Sequence, residues 1–135
     1  MPKFFLLLFL IGVLVLHSSD SLKLCKRSPS WRLSGKVFPR DFYGQVKLIA
    51  LLKASCPFCR QQARDMAKLK EELKKEHGIS DVDFVIINAH ERKSILEVDE
   101  FKEAAQSVHL VQDIEKMDVW RRYNGTTDDM LILDR

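Results

Sequence analysis

The spacing of apolar positions changes several times along the chain, and each change marks an element. Phe4 to Leu16 (FFLLLFLIGVLVL) is continuously apolar, follows the basic Met1-Pro-Lys3 and gives way at once to small polar residues, His17 to Ser21. Such a run is short for a bilayer span of roughly 20 residues, and its flanks predict a cleaved signal peptide over 1–20. Leu22 to Tyr43 has no period: Pro29, Gly35 and Pro39 interrupt basic residues around Trp31. Residues 21–43 therefore read as an extension laid over a domain, with Trp31 and Phe38 as anchors. Regular patterns begin after Gly44. Val46–Leu52 (VKLIALL) is nearly all apolar, as expected of a strand covered on both faces. From Cys59 to His77, Ala63, Met66, Ala67, Leu69 and Leu73 fall mostly three and four apart among charges, and Gly78 offers a C-cap, which predicts a helix. Val82–Asn88 is a second covered strand. Leu96 to Val108 is a second helix with Val98, Phe101, Ala104 and Ala105 inward, and Val108–Val111 is a short extended piece. Met117–Tyr123 is a short helix carrying Trp120, and Met130–Leu133 is a last strand after the polar turn Asn124–Asp129.

Strand, helix, strand, helix, strand in that order predicts an α/β domain over 44–135 with parallel pairing and right-handed crossovers. A sheet ending on Met130–Leu133 would leave a bare edge, so at least one more strand and a helix are expected after Arg135. The composition, 46% hydrophobic and 30% charged with few Gly and Pro, fits one globular domain. A net charge of +3 with acids and bases interleaved gives no basis for a nucleic-acid partner. Lys68 to Lys75 alternates with Glu71, Glu72 and Glu76, a solvated helix face with i,i+4 pairs and not an anion site. After signal cleavage no membrane span is expected, and the mature chain of about 115 residues is secreted.

Secretion changes the meaning of the cysteines, because disulfides persist outside the cell. The chain has three, Cys25, Cys56 and Cys59, so one thiol lacks a partner within it. Cys56 and Cys59 form a C-x-x-C after a covered strand and at the first turn of a helix. Unpaired backbone N–H groups and the helix dipole there favour a thiolate on Cys56. Cys59, one turn further in, is placed to resolve a mixed disulfide. Pro57 suits the first helical turn, and Phe58 is a surface apolar residue for contact with a peptide substrate. Two readings compete. A zinc site would have to recruit His77, His90 or His109, yet these have no paired spacing and no second C-x-x-C exists. An inert structural disulfide also fits a secreted chain, although so small a loop restrains the unfolded chain little. His77 reads as a helix C-terminal residue facing the dipole; His90 follows the second strand and is either an exposed loop residue or a neighbour of Cys56 across the strand ends.

Cys25 to Trp31, VKLIALLKASCPFC over 46–59, Lys68 to Glu76, Asp118-Val-Trp120 and NGTTDDMLILDR over 124–135 together resemble, in order, the N-terminal domain of the selenoprotein P family. The resemblance implies a thioredoxin-like fold of three α/β/α layers, incomplete at its C-terminus, in a secreted glycoprotein with its redox pair at the first strand-to-helix junction. The family places selenocysteine where Cys56 stands, and a thiolate is the weaker nucleophile and poorer leaving group. The family's selenium-rich tail is absent from these residues, so selenium transport is not implied for this chain. In the family a further cysteine follows the Asp-Arg, which accounts for a partner to Cys25 and makes Cys25 structural. Thioredoxins carry a cis-proline before the third strand; here the stretch is Thr126-Thr-Asp-Asp129, without proline. The C-P-F-C tetrad also looks like that of glutaredoxins, whose proline-containing loop is missing too. Asn124-Gly-Thr126 is an N-glycosylation acceptor.

The expectation is a secreted thiol–disulfide oxidoreductase or weak thiol peroxidase with an antioxidant or selenium-related role, in which Cys56 attacks and Cys59 resolves. It needs no metal and no bound cofactor, only a thiol reductant such as glutathione or thioredoxin, and its partners are a disulfide or peroxide. A cell-surface receptor is a further candidate partner. The rival is a non-catalytic extracellular binding or carrier domain with a structural disulfide.

Overall fold

The computed structural model describes residues 29–33, 36–38 and 46–133. The expected signal segment, Cys25 and the chain end at Asp134–Arg135 lie outside the described residues, as does much of the extension. Among the described residues no helix is long and apolar enough to cross a membrane.

Two short strands, β1 (Trp31–Leu33) and β2 (Lys36–Phe38), pair antiparallel, with Trp31 opposite Phe38. The main sheet is built from β3 (Val46–Leu52), β4 (Val82–Asn88), β5 (His109–Gln112) and β6 (Asp129–Leu133), in the order β5-β4-β3-β6. Between them lie α1 (Pro57–His77), α2 (Arg92–Leu96), α3 (Val98–Ala105) and the one-turn α4 (Val119–Arg122). β3 and β4 run parallel from Val46 opposite Val82 to Leu52 opposite Asn88, and β5 runs parallel to β4.

The near-continuous apolar character of β3 and β4 follows from burial on both faces. Leu48, Ala50, Leu52, Phe84 and Ile86 face α1 and α3, meeting Ala63, Met66, Ala67, Phe101 and Ala104. The alternate residues Ile49, Leu51, Val85 and Ile87 meet a layer made of β1, β2 and α4, through Trp31, Phe38 and Val119. Trp31 and Phe38 are buried as anchors, their rings stacked 4.6 Å apart. Full burial of one large apolar side chain contributes roughly 1.5–3 kcal/mol, enough for two residues to hold this short sheet in place. The three-layer α/β architecture is thus as expected, with a pair of strands and a single helical turn as the second covering layer.

Two local features differ from the sequence reading. The last strand is antiparallel to β3, Lys47 lying opposite Leu133 and Leu51 opposite Asp129. The segment after β5 folds through α4 at the carboxyl end of the sheet and never crosses to the other end, so the next strand must run back. Second, the helix expected over 96–108 is two helices meeting at Glu97 (φ −97°, ψ 13°). The first starts at Arg92 because Ser94, fully buried, is tied to the strand ends, and it leaves Leu96 74% exposed at its end. α1 closes as predicted: Gly78 adopts φ 65°, open to glycine without a Cβ penalty, and the Ile79 N–H donates to the Leu73 carbonyl at 2.9 Å.

Candidate redox site

β3 ends at Leu52, and a turn over Lys53–Ser55 delivers the chain to α1, closed by the Cys56 N–H on the Lys53 carbonyl at 3.0 Å. Cys56 is the N-cap of α1, extended at φ −103° and ψ 116°, with Pro57 next, where a missing N–H costs nothing. Its Sγ takes the place of a capping oxygen and accepts the Cys59 N–H at 3.4 Å. No acidic residue lies in the first turn. Both cysteines are thiols; Cys56 is half-buried and Cys59 is fully buried. Phe58, 63% exposed, stands on the surface between them. The structure therefore brings Cys56 and Cys59 together with one sulfur reachable and the other sheltered.

The turn before Cys56 is fastened from the strand ends. Asn88, fully buried at the end of β4, accepts the Ala54 N–H at 2.9 Å and donates to the Ser94 carbonyl and the Gln112 Oε1. Ser55 donates through its hydroxyl to Glu91 at 2.7 Å, Ser94 does the same at 2.9 Å, and Lys53 Nζ reaches the other Glu91 oxygen at 3.0 Å. These contacts, the Ser55 hydrogen bond foremost, hold the Glu91 carboxyl at about 2, below the usual carboxylate range. Arg60 completes the clamp: its Nε donates to the Ala54 carbonyl at 2.7 Å while its other nitrogens pair with Glu97 and Glu100.

On the opposite side the loop before β6 closes over the pair. The Asp128 N–H donates to the Leu51 carbonyl at 3.0 Å, and Asp128 adopts φ 73°. This places its carboxylate against the buried thiol, which donates to Asp128 Oδ1 at 3.1 Å. Burial pushes the Cys59 thiol above its ordinary value, with Cys56 and Asp128 adding to the shift against an opposing backbone hydrogen bond from Lys53. Gly125 packs so closely on β3 that an added Cβ would overlap Leu51 Cδ1. A cavity of about 400 Å³ opens beside the turn, lined by Lys53, Ala89, His90, Glu91, Trp120, Thr126 and Thr127.

The other predicted residues stand apart from the pair. Asn124 is exposed on the turn after α4, with φ 50°, and Thr126 of its triplet lines the cavity. His77 and His109 are exposed, in the last turn of α1 and in β5. His90 is exposed as well, its Nδ1 3.9 Å from Asp113, and is not a neighbour of Cys56 in any described contact. Among the described residues, the group spaced to hold a metal ion is Glu72, Glu76 and His77, exposed on α1 and without a cysteine. Asn88, Glu91, Ser94 and Asp128 escaped the sequence reading. The signals were a polar residue closing an apolar strand and the two aspartates before the last one.

The chain is similar to known proteins in sequence and in fold. The family described as selenoprotein P, N terminal region, matches residues 20–135. Selenoprotein Pb of Danio rerio is 32% identical over 126 residues, covering 92% of this chain and 47% of that protein. Human selenoprotein P is 34% identical over 121 residues, 88% of this chain and 32% of its own length. The chain thus spans about a third to just under a half of these relatives' length. Among solved structures, the thioredoxin domain of a thiol-disulfide oxidoreductase from Bacteroides vulgatus superposes with a TM-score of 0.57 at 19% identity, over 82% of this chain and 80% of that one. That likeness is one of fold. With a matching sequence over 20–135, the chain belongs to the selenoprotein P N-terminal family and has a thioredoxin-like fold.

Proposed function

We propose that this domain is an extracellular thiol–disulfide oxidoreductase of the selenoprotein P family that works with sulfur in place of selenium. The observation that carries the reading is the pairing of a half-buried Cys56, capping α1, with a fully buried Cys59 one turn behind it. A reachable nucleophile and a sheltered resolving thiol are what two-step exchange requires. Cys56 attacks a substrate disulfide, displaces one thiolate and becomes a mixed disulfide; Cys59 attacks Cys56, releases the second thiol and leaves the pair oxidised. The same thiol attacks a peroxide more weakly, giving a sulfenic acid that Cys59 condenses with the loss of water. Glutathione or a thioredoxin-type thiol returns the pair to the dithiol. The apolar run over Phe4–Leu16 supports secretion, and a thiol–disulfide oxidoreductase among its fold relatives supports the chemistry.

The test is turnover of insulin disulfides and of hydrogen peroxide by the mature chain with glutathione, beside Cys56→Ser and Cys59→Ser variants. Loss of turnover in Cys56→Ser, with a trapped mixed disulfide in Cys59→Ser, is expected. Turnover that persists in Cys56→Ser removes the nucleophile assignment. No turnover by the unaltered chain favours a non-catalytic binding or carrier domain.

A further inference from the structure

Resolution requires the least accessible sulfur in the site to lose its proton. Cys59 is fully buried, so a protein group beside it is better placed than bulk water to take that proton. Besides the neighbouring Cys56 sulfur, its described side-chain acceptor is Asp128 Oδ1 at 3.1 Å. Asp128 is itself exposed, so its carboxylate links the buried sulfur to bulk water. The backbone spends conformational energy to keep it there: Asp128 sits at φ 73°, a region non-glycine residues rarely occupy, anchored by its N–H on the Leu51 carbonyl. The other charged groups around the pair are engaged elsewhere. Lys53 Nζ is on Glu91, Arg60 on Glu97 and Glu100, and the Asp129 carboxylate accepts the Thr126 N–H at 2.6 Å. Cys56, from the same helix turn, is the only other titrating group described against Cys59.

We infer that Asp128 is the general base of the resolving step, taking the proton from Cys59 as Cys59 attacks the mixed disulfide on Cys56. The inference rests on the oxidoreductase reading above. In the step the Cys59 S–H bond breaks and its proton passes to the Asp128 carboxylate. The Cys59–Cys56 bond forms, the bond from Cys56 to the substrate sulfur breaks, and the departing thiolate is protonated by Asp128 or by water. The protein loses two electrons and the substrate disulfide gains them. A carboxylate in this place also discourages a second negative charge, so it delays the Cys59 thiolate until an electrophile is seated on Cys56.

The base role and a purely electrostatic role predict opposite results for Asp128→Asn, a substitution that keeps the size and tolerates positive φ. In a Cys25→Ser background, dithiobis(nitrobenzoate) reports both steps: the first thionitrobenzoate released marks attack by Cys56, the second marks resolution by Cys59. In parallel, alkylation of Cys59 is followed against pH in Cys56→Ser with and without Asp128→Asn. With Asp128 as base, Asp128→Asn lowers the pH at which Cys59 alkylates, yet slows the second release about a hundred-fold more than the first, the lower end of general-base contributions. A second release that is unchanged or faster in Asp128→Asn overturns the assignment, because more thiolate without a base would then suffice. An unaltered pair that gives no second release overturns the oxidoreductase reading itself, and the base with it.

Discussion

Removing the carboxylate of Asp113 should destabilise the fold by about 2–4 kcal/mol, and the estimate follows from three hydrogen bonds. Asp113 is fully buried just after β5. Its Oδ1 accepts the N–H groups of Ile114 at 2.9 Å and Val119 at 3.1 Å, and its Oδ2 accepts that of Trp120 at 3.1 Å. It thus closes the loop after β5 and caps α4 in one stroke. In Asp113→Ala all three donors lose their acceptor. Those of Ile114 and Trp120 are in part-buried bonds and can turn toward water, whereas the Val119 bond is buried. A lost cap costs roughly 0.5–2 kcal/mol and a hydrogen bond to a charged group roughly 1.5–3 kcal/mol; the two overlap here, which sets the range above. With a urea slope of about 1.5 kcal/mol/M, the midpoint falls by roughly 1.3–2.7 M. Asp113→Asn keeps one carbonyl oxygen for Ile114 and Val119 and turns an amide toward the Trp120 N–H, so it should lose about half as much. Urea titration followed by tryptophan emission and by far-ultraviolet dichroism measures both. A midpoint for Asp113→Ala within about 0.3 M of the unaltered chain refutes the argument, because a lost cap and one buried orphaned donor cannot cost so little.

Glu91 makes the stability depend on acid: its folded value of about 2 lies below the ordinary 4.5, so its contribution is present above 4.5 and is lost as pH falls toward 2. Its side chain is 41% exposed and solvent screens the effect, so the expected signature is a shallower loss of stability in Glu91→Gln between those limits, checked by acid titration of unfolding. Gly125→Ala places a methyl on Leu51 Cδ1 and should cost about 1–3 kcal/mol by overpacking, read as a lowered denaturation midpoint. A chain made through a secretory pathway should carry a glycan at Asn124, seen as a mass that falls on enzymatic deglycosylation and is missing in Asn124→Gln.

The parts of the fold legible in the sequence are those set by local period. β3 and β4 announce themselves because cover on both faces leaves no polar alternation, and α1 does so through its spacing and Gly78. The direction of β6 was not legible, because it depends on whether residues 113–128 cross the sheet, and a buried carboxylate at Asp113 keeps them at one end. Nor was the break at Glu97, which is held by Arg60, a residue 37 positions away. The site divides in the same way. Cys56 and Cys59 share one turn and could be read together, whereas the contact of Cys59 with Asp128 spans 69 positions. Before the fold was known, that loop stood out as a polar turn without proline, bearing the end of a glycosylation triplet, and nothing local tied it to Cys59.

The bond between Cys59 and Asp128 has a consequence for the resting oxidation state. It exists only while the sulfur carries its proton, so oxidation abolishes it and leaves a carboxylate facing a disulfide. The contact therefore stabilises the dithiol alone. A hydrogen bond to a charged acceptor contributes roughly 1.5–3 kcal/mol, which for a two-electron couple corresponds to roughly 30–65 mV toward the oxidising side. Equilibration of the pair with glutathione buffers should show Asp128→Ala more reducing by that interval and Asp128→Asn, which keeps a neutral acceptor, by about half as much; an unchanged potential in both would deny the contact any part in the balance. One aspartate, 69 positions from the sulfur it touches, would thus set how readily the pair accepts electrons.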